Sequence, residues 1–187
     1  MHQVKVKLYQ KSFRDEIETF RKKTFDEGND ALPIEKYNPD TINGETFMAY
    51  VDGELASIAV LEEDHYVTES NQVVRACRLH TLKKFRNMNL AAKYLLPEMV
   101  TYALQNGYRT IYWTHDVSKK AINAIYQGKR TPLNDRAAYK TSFWKSIKFD
   151  RTWLFQVDPK SDMLQYVYYI GEKLKPKKNY VWMKHGN

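Results

Sequence analysis

The sequence contains a single cysteine, Cys77, so no disulfide bond can form within the chain. It has no apolar run near the roughly 20 residues of a membrane-spanning helix, and its first residues lack the apolar core of a secretory signal. Internal repeats, low-complexity segments and the paired Cys or His spacings of metal sites are also absent. We therefore expect a cytoplasmic protein that neither enters a membrane nor binds a metal.

Acidic residues are fewer than basic ones: 22 Asp and Glu stand against 30 Lys and Arg, which gives a formal net charge of +8. This balance favours anionic partners, such as a nucleotide cofactor, a nucleic acid or an acidic substrate, although charge alone does not identify a function. The 187 residues are 43% hydrophobic and 14% aromatic, which is enough for one folded domain with a substantial core.

Hydrophobic periodicity predicts strands that alternate with helices. The first part reads as a strand at Val4–Tyr9, a helix, and a hairpin around an Asp52-Gly53 turn. A strand at Val73–Leu82 leads to a helix at Leu90–Asn106, which Pro97 must kink or split. Later elements are predicted at Thr110–Thr114 (strand), Ser118–Gln127 (helix), Trp144–Phe149, Thr152–Val157 and Leu164–Ile170 (strands). This order predicts an α/β fold with a mixed sheet flanked by helices.

The most informative stretch is Leu79–Leu96, where a short apolar strand runs into a basic loop that opens directly into an amphipathic helix. The first amides of a helix have no intrahelical acceptor and, together with the helix dipole, favour an anion at that end. Lys83, Lys84 and Arg86 add positive charge to the same loop. The pattern predicts a site for an anionic group, although the same residues would also suit an ordinary solvated turn.

Within this loop, Arg86–Ala91 (R-N-M-N-L-A) resembles the pyrophosphate-binding motif R/Q-x-x-G-x-G/A of the GCN5-related N-acetyltransferases (GNATs), with Asn89 at the central glycine. Asn is the commonest replacement for glycine at positive φ, so we expect Asn89 to keep the backbone shape of the motif. The order of elements is also similar to that family. The resemblance implies a single-domain α/β acyl-CoA N-acyltransferase-like fold over residues 1–172. The lysine-rich residues 173–187 indicate a basic C-terminal extension.

The resemblance also implies that acetyl-CoA or another acyl-CoA is the co-substrate. Its pyrophosphate would contact the loop. Its pantetheine arm would contact the backbone of the strand Ala76–Leu82, which in the family is splayed from the next strand, here Thr110–Thr114. An ordinary sheet, in which these strands simply pair, is the alternative. The residues implied in cofactor binding are Leu79, Thr81, Arg86, Asn87, Met88, Asn89, Leu90, Ala91 and Asn123.

Three residues are candidates for catalysis. Tyr126 resembles the family tyrosine that protonates the departing CoA thiolate, although a tyrosine four residues after Ile122 also suits helix packing. His80 and His115 are candidates for the base that takes a proton from the attacking amine, because a histidine titrates near neutral pH. Both histidines could instead be structural. The acidic residues 62–64 are further candidates, but a carboxylate would need its pKa raised by burial.

Two functions are therefore open. The first is an N-acyltransferase that moves an acetyl or other acyl group from acyl-CoA to an amine acceptor, which attacks the thioester directly in a ternary complex. The alternative is a catalytically inactive GNAT-like module that binds nucleic acid or another anionic partner through its basic surface, to which the tail Lys173–Asn187 would contribute. Either protein could be a monomer or a homodimer.

Overall fold

The computed structural model describes residues 2–28, 37–63, 72–118, 137–147, 152–156, 163–172 and 181–184. The chain divides into two compact units, one formed by Met1–Glu63 with Ala76–Tyr102 and the other by Asp64–Arg75 with Ala103–Asn187. The described strands are β1 Val4–Leu8, β2 Gly44–Val51, β3 Glu54–Glu63, β4 Val73–Thr81, β5 Thr110–Ser118, β6 Thr152–Gln156, β7 Met163–Gly171 and β8 Val181–Lys184. The described helices are α1 Arg14–Asp26, α2 Leu96–Gln105 and α3 Ser142–Ser146, with 3-10 turns at Lys11–Phe13, Lys83–Met88 and Ala137–Tyr139 and a π turn at Ala91–Leu95.

In the first unit, β1, β2 and β3 form an antiparallel meander, and β4 lies next to β3. The predicted hairpin between β2 and β3 is confirmed. Asp52 and Gly53 both have positive φ, +49° and +87°, as a tight turn between twisted strands requires. The Asp52 carboxylate accepts hydrogen bonds from the His2 ring and, at 2.9 Å, from the amide of Gln3. The turn is therefore fastened to the residues just before β1.

The core of the first unit joins α1 to β2 and β3. In α1 the buried residues Ile17, Phe20 and Thr24 recur at intervals of three and four, so they share one face of the helix. Leu82, directly after β4, belongs to the same cluster, so the start of the next loop is anchored in the core. The cluster consists of Ile17, Phe20, Tyr37, Met48, Tyr50, Leu55, Ile58, Val60 and Leu82.

The helix that follows β4 changes geometry along its length. Residues Ala91–Leu95 form a π turn, closed by a hydrogen bond from the amide of Leu96 to the carbonyl of Ala91, and α2 continues from there. Pro97 explains the change, because proline has no amide hydrogen and its ring clashes with the carbonyl four residues earlier in an α-helix. The helix ends at Gln105, and Gly107, at φ +79°, has the left-handed backbone that glycine commonly adopts just after a helix.

In the second unit, β5 pairs antiparallel with β7, and β6 pairs antiparallel with both β7 and β8. The register places Gly171 opposite Thr110. Gly171 has φ +106°, and a Cβ there would lie 2.0 Å from the carbonyl oxygen of Arg109, so only glycine fits this position. The strand β8 lies in the segment expected to be a basic extension, and the sequence did not predict it.

The strand predicted at Trp144–Phe149 is wrong where the structure describes it, because Ser142–Ser146 form α3 instead. Thr141 caps this helix, since its hydroxyl accepts a hydrogen bond from the amide of Trp144 at 3.5 Å. The buried indole of Trp144 then packs against the rings of Trp113, Tyr139 and Phe143. A cap and tertiary packing have therefore overridden the local strand pattern.

The helix start predicted at Ser118 is also wrong, because β5 continues to that residue. The strand extends beyond its predicted end at Thr114 because its antiparallel pairing with β7 continues as far as Ser118, opposite Met163. Residues 119–127 of the predicted helix lie outside the described residues. Within the described ranges, no helix is long and apolar enough to cross a membrane.

Candidate functional site

The loop between β4 and the next helix has a backbone that is held at its start. The amide of Leu82 donates to the carbonyl of Ala56 in β3 at 3.0 Å, and the amide of Phe85 donates back to the carbonyl of Leu82 at 2.9 Å. The residues Lys83–Met88 form 3-10 turns, and the carboxylate of Glu27 accepts from the amide of Lys83 at 2.9 Å. The loop is therefore tied both to the sheet and to the residue that follows α1.

Asn89 closes this loop in the left-handed region, with φ +55° and ψ +40°. Its carbonyl accepts a hydrogen bond from the amide of Lys93 at 3.0 Å, which starts the helical bonding. The amides of Leu90 and Ala91 come before that bond, and the described residues provide no backbone acceptor for them. Asn89 thus has the positive φ that was predicted. The chain turns at this residue, and the amides of Leu90 and Ala91 follow directly after the loop.

The cations of the loop differ in what they contact. The ammonium of Lys84 lies 2.6 Å from Glu54, which also binds Lys23 of α1 at 3.0 Å, and these two hydrogen bonds lower the pKa of the Glu54 carboxyl. Arg86 is exposed, and its Nε donates to the carbonyl of Thr81 at 3.2 Å. No carboxylate of the described residues pairs with Arg86. Arg86 is therefore held beside the end of β4 with its charge uncompensated there, whereas the charge of Lys84 is compensated.

His80 lies in β4 just before the loop and is only 8% exposed. Its carbonyl accepts a hydrogen bond at 2.6 Å from the buried hydroxyl of Ser57, which also bonds the hydroxyl of Thr81 at 2.7 Å. Burial, and in second place the positive charge of Arg86, hold the pKa of His80 below its ordinary value of about 6.5. The imidazole is therefore neutral at neutral pH, and a neutral imidazole can accept a proton.

The backbone of β4 is irregular just before His80. Arg78 has φ +49°, a left-handed value that costs a residue other than glycine about 1–2 kcal/mol and that is typical of a β-bulge when it occurs inside a strand. Its Nε donates to the carboxylate of Glu62 in β3 at 2.8 Å. The next residue, Leu79, is 41% exposed although it is apolar. The regular in-and-out alternation of side chains along β4 is therefore broken at this point.

Three solved structures share this arrangement of elements. The N-acetyltransferase from Staphylococcus aureus Mu50 matches with a TM-score of 0.55 at 13% identity, over 90% of this chain and 98% of that chain. The GNAT-family acetyltransferase from Streptococcus pneumoniae matches with 0.52 at 13% identity, over 92% and 99% of the two chains. The GNAT domain of S. lividans PAT matches with 0.54 at 10% identity, over 89% and 90%. The chain has the GNAT fold.

The GNAT fold confirms the predicted fold class, an acyl-CoA N-acyltransferase-like α/β fold with a mixed sheet flanked by helices. No protein-family model and no curated protein matches the sequence. An identity of 10–13% establishes the fold, and one fold can carry several functions, so the function has to be argued from the site itself.

Within the GNAT fold, the predicted cofactor residues Leu79, Thr81 and Arg86–Ala91 lie together where β4 meets the helix. Arg86, Asn87 and Asn89 are exposed, whereas Leu90 is buried in a small cluster with Val51 and Ala56, so Leu90 could offer only its backbone to a ligand. Asn123 lies outside the described residues. Among the residues that are described, no group of three His, Cys, Asp or Glu side chains is arranged to hold a metal ion.

The predicted catalytic residues fall in different parts of the GNAT fold. His80 lies beside the loop, and His115 lies in β5 opposite Tyr166 of β7. Tyr126 lies outside the described residues, as does Asp64 among the carboxylate candidates. The carboxylate of Glu62 is engaged by Arg78, whose Nε lies 2.8 Å away. Among the candidate bases and acids whose side chains the structure describes, only His80 lies next to the loop Lys83–Asn89.

Sequence reasoning missed the pair formed by Arg78 and Glu62. Arginine has no preference for positive φ, so nothing in R-A-C-R-L-H indicates that the backbone turns at Arg78. The available signal was weak: a charged residue stands between the apolar residues Cys77 and Leu79 in a predicted strand.

Proposed function

We propose that this protein is an acyl-CoA-dependent N-acyltransferase, which transfers an acetyl or other acyl group to an amine acceptor. The observation that carries the proposal is the left-handed Asn89, which gives the loop the backbone shape that glycine usually provides. It directly precedes the helix amides of Leu90 and Ala91. The fold is shared with proteins named N-acetyltransferases, which supports the same assignment.

A pyrophosphate needs several converging N–H donors and a positive charge, and the loop offers both. The donors in this proposal are the amides of Leu90 and Ala91, because the amide of Asn89 already donates to the carbonyl of Arg86 at 3.4 Å. The positive charge is Arg86, because its guanidinium is exposed beside the loop. Lys84 contributes less, because Glu54 already binds its ammonium group.

In the proposed reaction, the amine nitrogen of the acceptor attacks the thioester carbonyl, an amide bond forms and the carbon–sulfur bond breaks. Positioning of the two substrates and polarisation of the carbonyl by a backbone amide of β4 supply most of the acceleration. His80 takes the proton from the amine, with His115 as the other candidate base. Tyr126 protonates the departing CoA thiolate, as the family resemblance implies.

A thermal-shift titration with acetyl-CoA tests the proposal. A ligand at 100 times its Kd stabilises the folded state by about 2.7 kcal/mol, which raises the Tm of a protein of this size by about 5–10 °C. We expect a saturable shift of that order, with calorimetry as the check on stoichiometry. The absence of a shift with acetyl-CoA, CoA and longer acyl-CoAs would contradict the proposal and favour the binding module for nucleic acid or another anion.

A pair of loop variants tests whether the guanidinium of Arg86 binds acetyl-CoA through specific hydrogen bonds. Arg86→Ala should weaken acetyl-CoA binding by about 10-fold or more, because it removes charge-assisted hydrogen bonds. Lys84→Ala removes the same charge from the same loop, but it should change the affinity by less than about threefold, because the ammonium is already paired on the surface. Equal losses in the two variants would mean that the loop attracts CoA only through its net charge.

A third variant tests the proton donor. Tyr126→Phe should lower kcat while the Kd for acetyl-CoA stays nearly unchanged, because the phenol acts on the leaving thiolate and not on the bound cofactor. Unchanged turnover would remove Tyr126 from the mechanism without affecting the assignment of the pyrophosphate loop.

A further inference from the structure

Arg78 combines an unfavourable backbone with a specific side-chain partner. Its φ of +49° falls in the left-handed region, in the interior of β4, where no chain reversal requires it. Strained residues of this kind persist only when their surroundings hold them, and they concentrate at functional sites. The question is therefore what holds Arg78 in this conformation.

The ion pair with Glu62 is the contact that can hold Arg78 in this left-handed conformation. The Nε of Arg78 lies 2.8 Å from the carboxylate, and the two side chains are only 29% and 16% exposed, so water screens the pair less than it screens a surface pair. Glu62 belongs to β3, the strand beside β4. The guanidinium thus ties the irregular residue of one strand to its neighbouring strand.

A second anchor lies on the other side of Leu79. The buried hydroxyl of Ser57, also in β3, binds the carbonyl of His80 at 2.6 Å and the hydroxyl of Thr81 at 2.7 Å. Leu79 therefore stands between two points at which β3 fixes β4, and it remains 41% exposed. The backbone between the two anchors has a set shape, although it departs from a regular strand.

We propose that the Arg78–Glu62 ion pair is a positioning device, which holds the left-handed backbone of Arg78 and thereby sets the position of the Leu79 backbone that meets the acyl-CoA. This inference rests on the proposed function for its substrate. Arg78 and Glu62 are positioning residues here, because they act through the backbone and do not touch the reacting atoms.

Substitutions at the pair test this inference in the ligand-free protein. Glu62→Ala and Arg78→Ala remove the ion pair, and we expect residue 78 to leave the left-handed region in crystal structures of both variants. Arg78→Gly also removes the pair, but glycine adopts positive φ without a penalty, so it should keep the native backbone. Asp52→Ala is the matched control, because Asp52 has the same φ of +49° and its own partner, but lies in the β2–β3 turn.

Kinetics on the same variants connect the backbone to the reaction. In both alanine variants kcat should fall by about 10- to 100-fold, as expected for a small misplacement of reacting groups, and the double variant should lose no more than either single one. Arg78→Gly should recover most of the wild-type kcat, and Asp52→Ala should keep it. The Tm of every variant is measured, so that a loss of folding is recognised.

The possible outcomes separate the inference from the proposed function. A positive φ that persists at residue 78 in Glu62→Ala would overturn the inference, and so would an Arg78→Gly enzyme as slow as Arg78→Ala. If wild-type protein binds no acyl-CoA, the proposed function fails, while the crystal structures still decide whether the ion pair holds the backbone.

Discussion

Two regions of the first unit contain residues other than glycine in left-handed backbone. The first is the β2–β3 turn, where Asp52 at φ +49° is followed by Gly53 at φ +87°. The second is the β4 segment, residues 78–89, where Arg78 has φ +49° and Asn89 has φ +55°. The turn has a glycine beside the strained residue, and the β4 segment has none.

The difference lies in what the backbone achieves in each place. At the β2–β3 turn the left-handed residues reverse the chain, and Asp52 binds His2 and Gln3, so the geometry serves the fold itself. Arg78 lies inside a strand and reverses nothing. Strain that has no role in connecting elements indicates a site whose shape is being maintained for another purpose.

The largest expected effect is at Ser57, whose buried hydroxyl binds His80 and Thr81 of the β4 segment. Ser57→Ala should lower the free energy of unfolding by about 1–3 kcal/mol, because it leaves buried polar groups at His80 and Thr81 without this partner. Urea denaturation measures the loss. Ser146→Ala, which removes an exposed hydroxyl that donates to Phe143, is the control and should stay within about 0.5 kcal/mol. A loss as small as the control's would mean that the β4 segment is not anchored by Ser57.

Substituting valine, a β-branched residue, for the left-handed residue of each region tests whether the two regions differ in function. Asn89→Val should lower the free energy of unfolding by about 1–2 kcal/mol, because valine disfavours positive φ, and should also weaken acetyl-CoA binding. Asp52→Val should lower the Tm but leave acetyl-CoA binding unchanged. Calorimetric titration of both variants checks this. Equal loss of binding in the two would erase the functional distinction between the regions.

Acid pH should affect the β4 segment before the turn. The pKa of His80 in the folded state lies below the unfolded value of about 6.5, so the unfolded state takes up the proton first and stability falls as the pH drops below 6.5. The pKa of Asp52 is lowered by its hydrogen bonds from His2 and Gln3, so its contribution is lost only below about pH 4. Denaturation between pH 7.5 and 5 should show a slope that His80→Gln reduces. An unchanged slope in that variant would assign the effect to other groups.

The smallest expected effect comes from restoring glycine at the loop. Asn89→Gly should change the free energy of unfolding by less than about 0.5 kcal/mol, because asparagine already tolerates this conformation and glycine gains freedom in the unfolded chain. Acetyl-CoA affinity should be retained. Loss of binding in Asn89→Gly would show that the side chain of Asn89, and not only its backbone, is needed.

Much of the first unit could be predicted because its signals are local. An Asp-Gly pair fixes the β2–β3 turn, and a strand, a basic loop and an amphipathic helix in succession locate the loop around Asn89. The preference of asparagine for positive φ even predicted the backbone of that residue. These features depend on neighbours in sequence, so the sequence alone contains them.

The features that could not be predicted depend on contacts between distant residues. The left-handed Arg78 is coupled to Glu62, 16 residues away, and no propensity of arginine reveals it. The helix α3 depends on a cap at Thr141 and on the packing of Trp144 among three other aromatic rings, which outweighs an alternating pattern. The strand β8 spans four residues and pairs with β6; Val181 and Trp182 favour strands, but the lysine-rich tail around them indicated an extension instead.

The π turn at Ala91–Leu95 affects the direction in which the first amides of the helix point. Each residue of an α-helix advances about 100° around the axis, and a π turn accommodates one residue more than an α turn does. Everything before the π turn is therefore rotated relative to the buried stripe of Met99, Val100 and Ala103 in α2. The π turn before Pro97 thus changes the direction in which the first helix amides point. The helix keeps one face in the core, and these amides point where a continuous α-helix would not direct them.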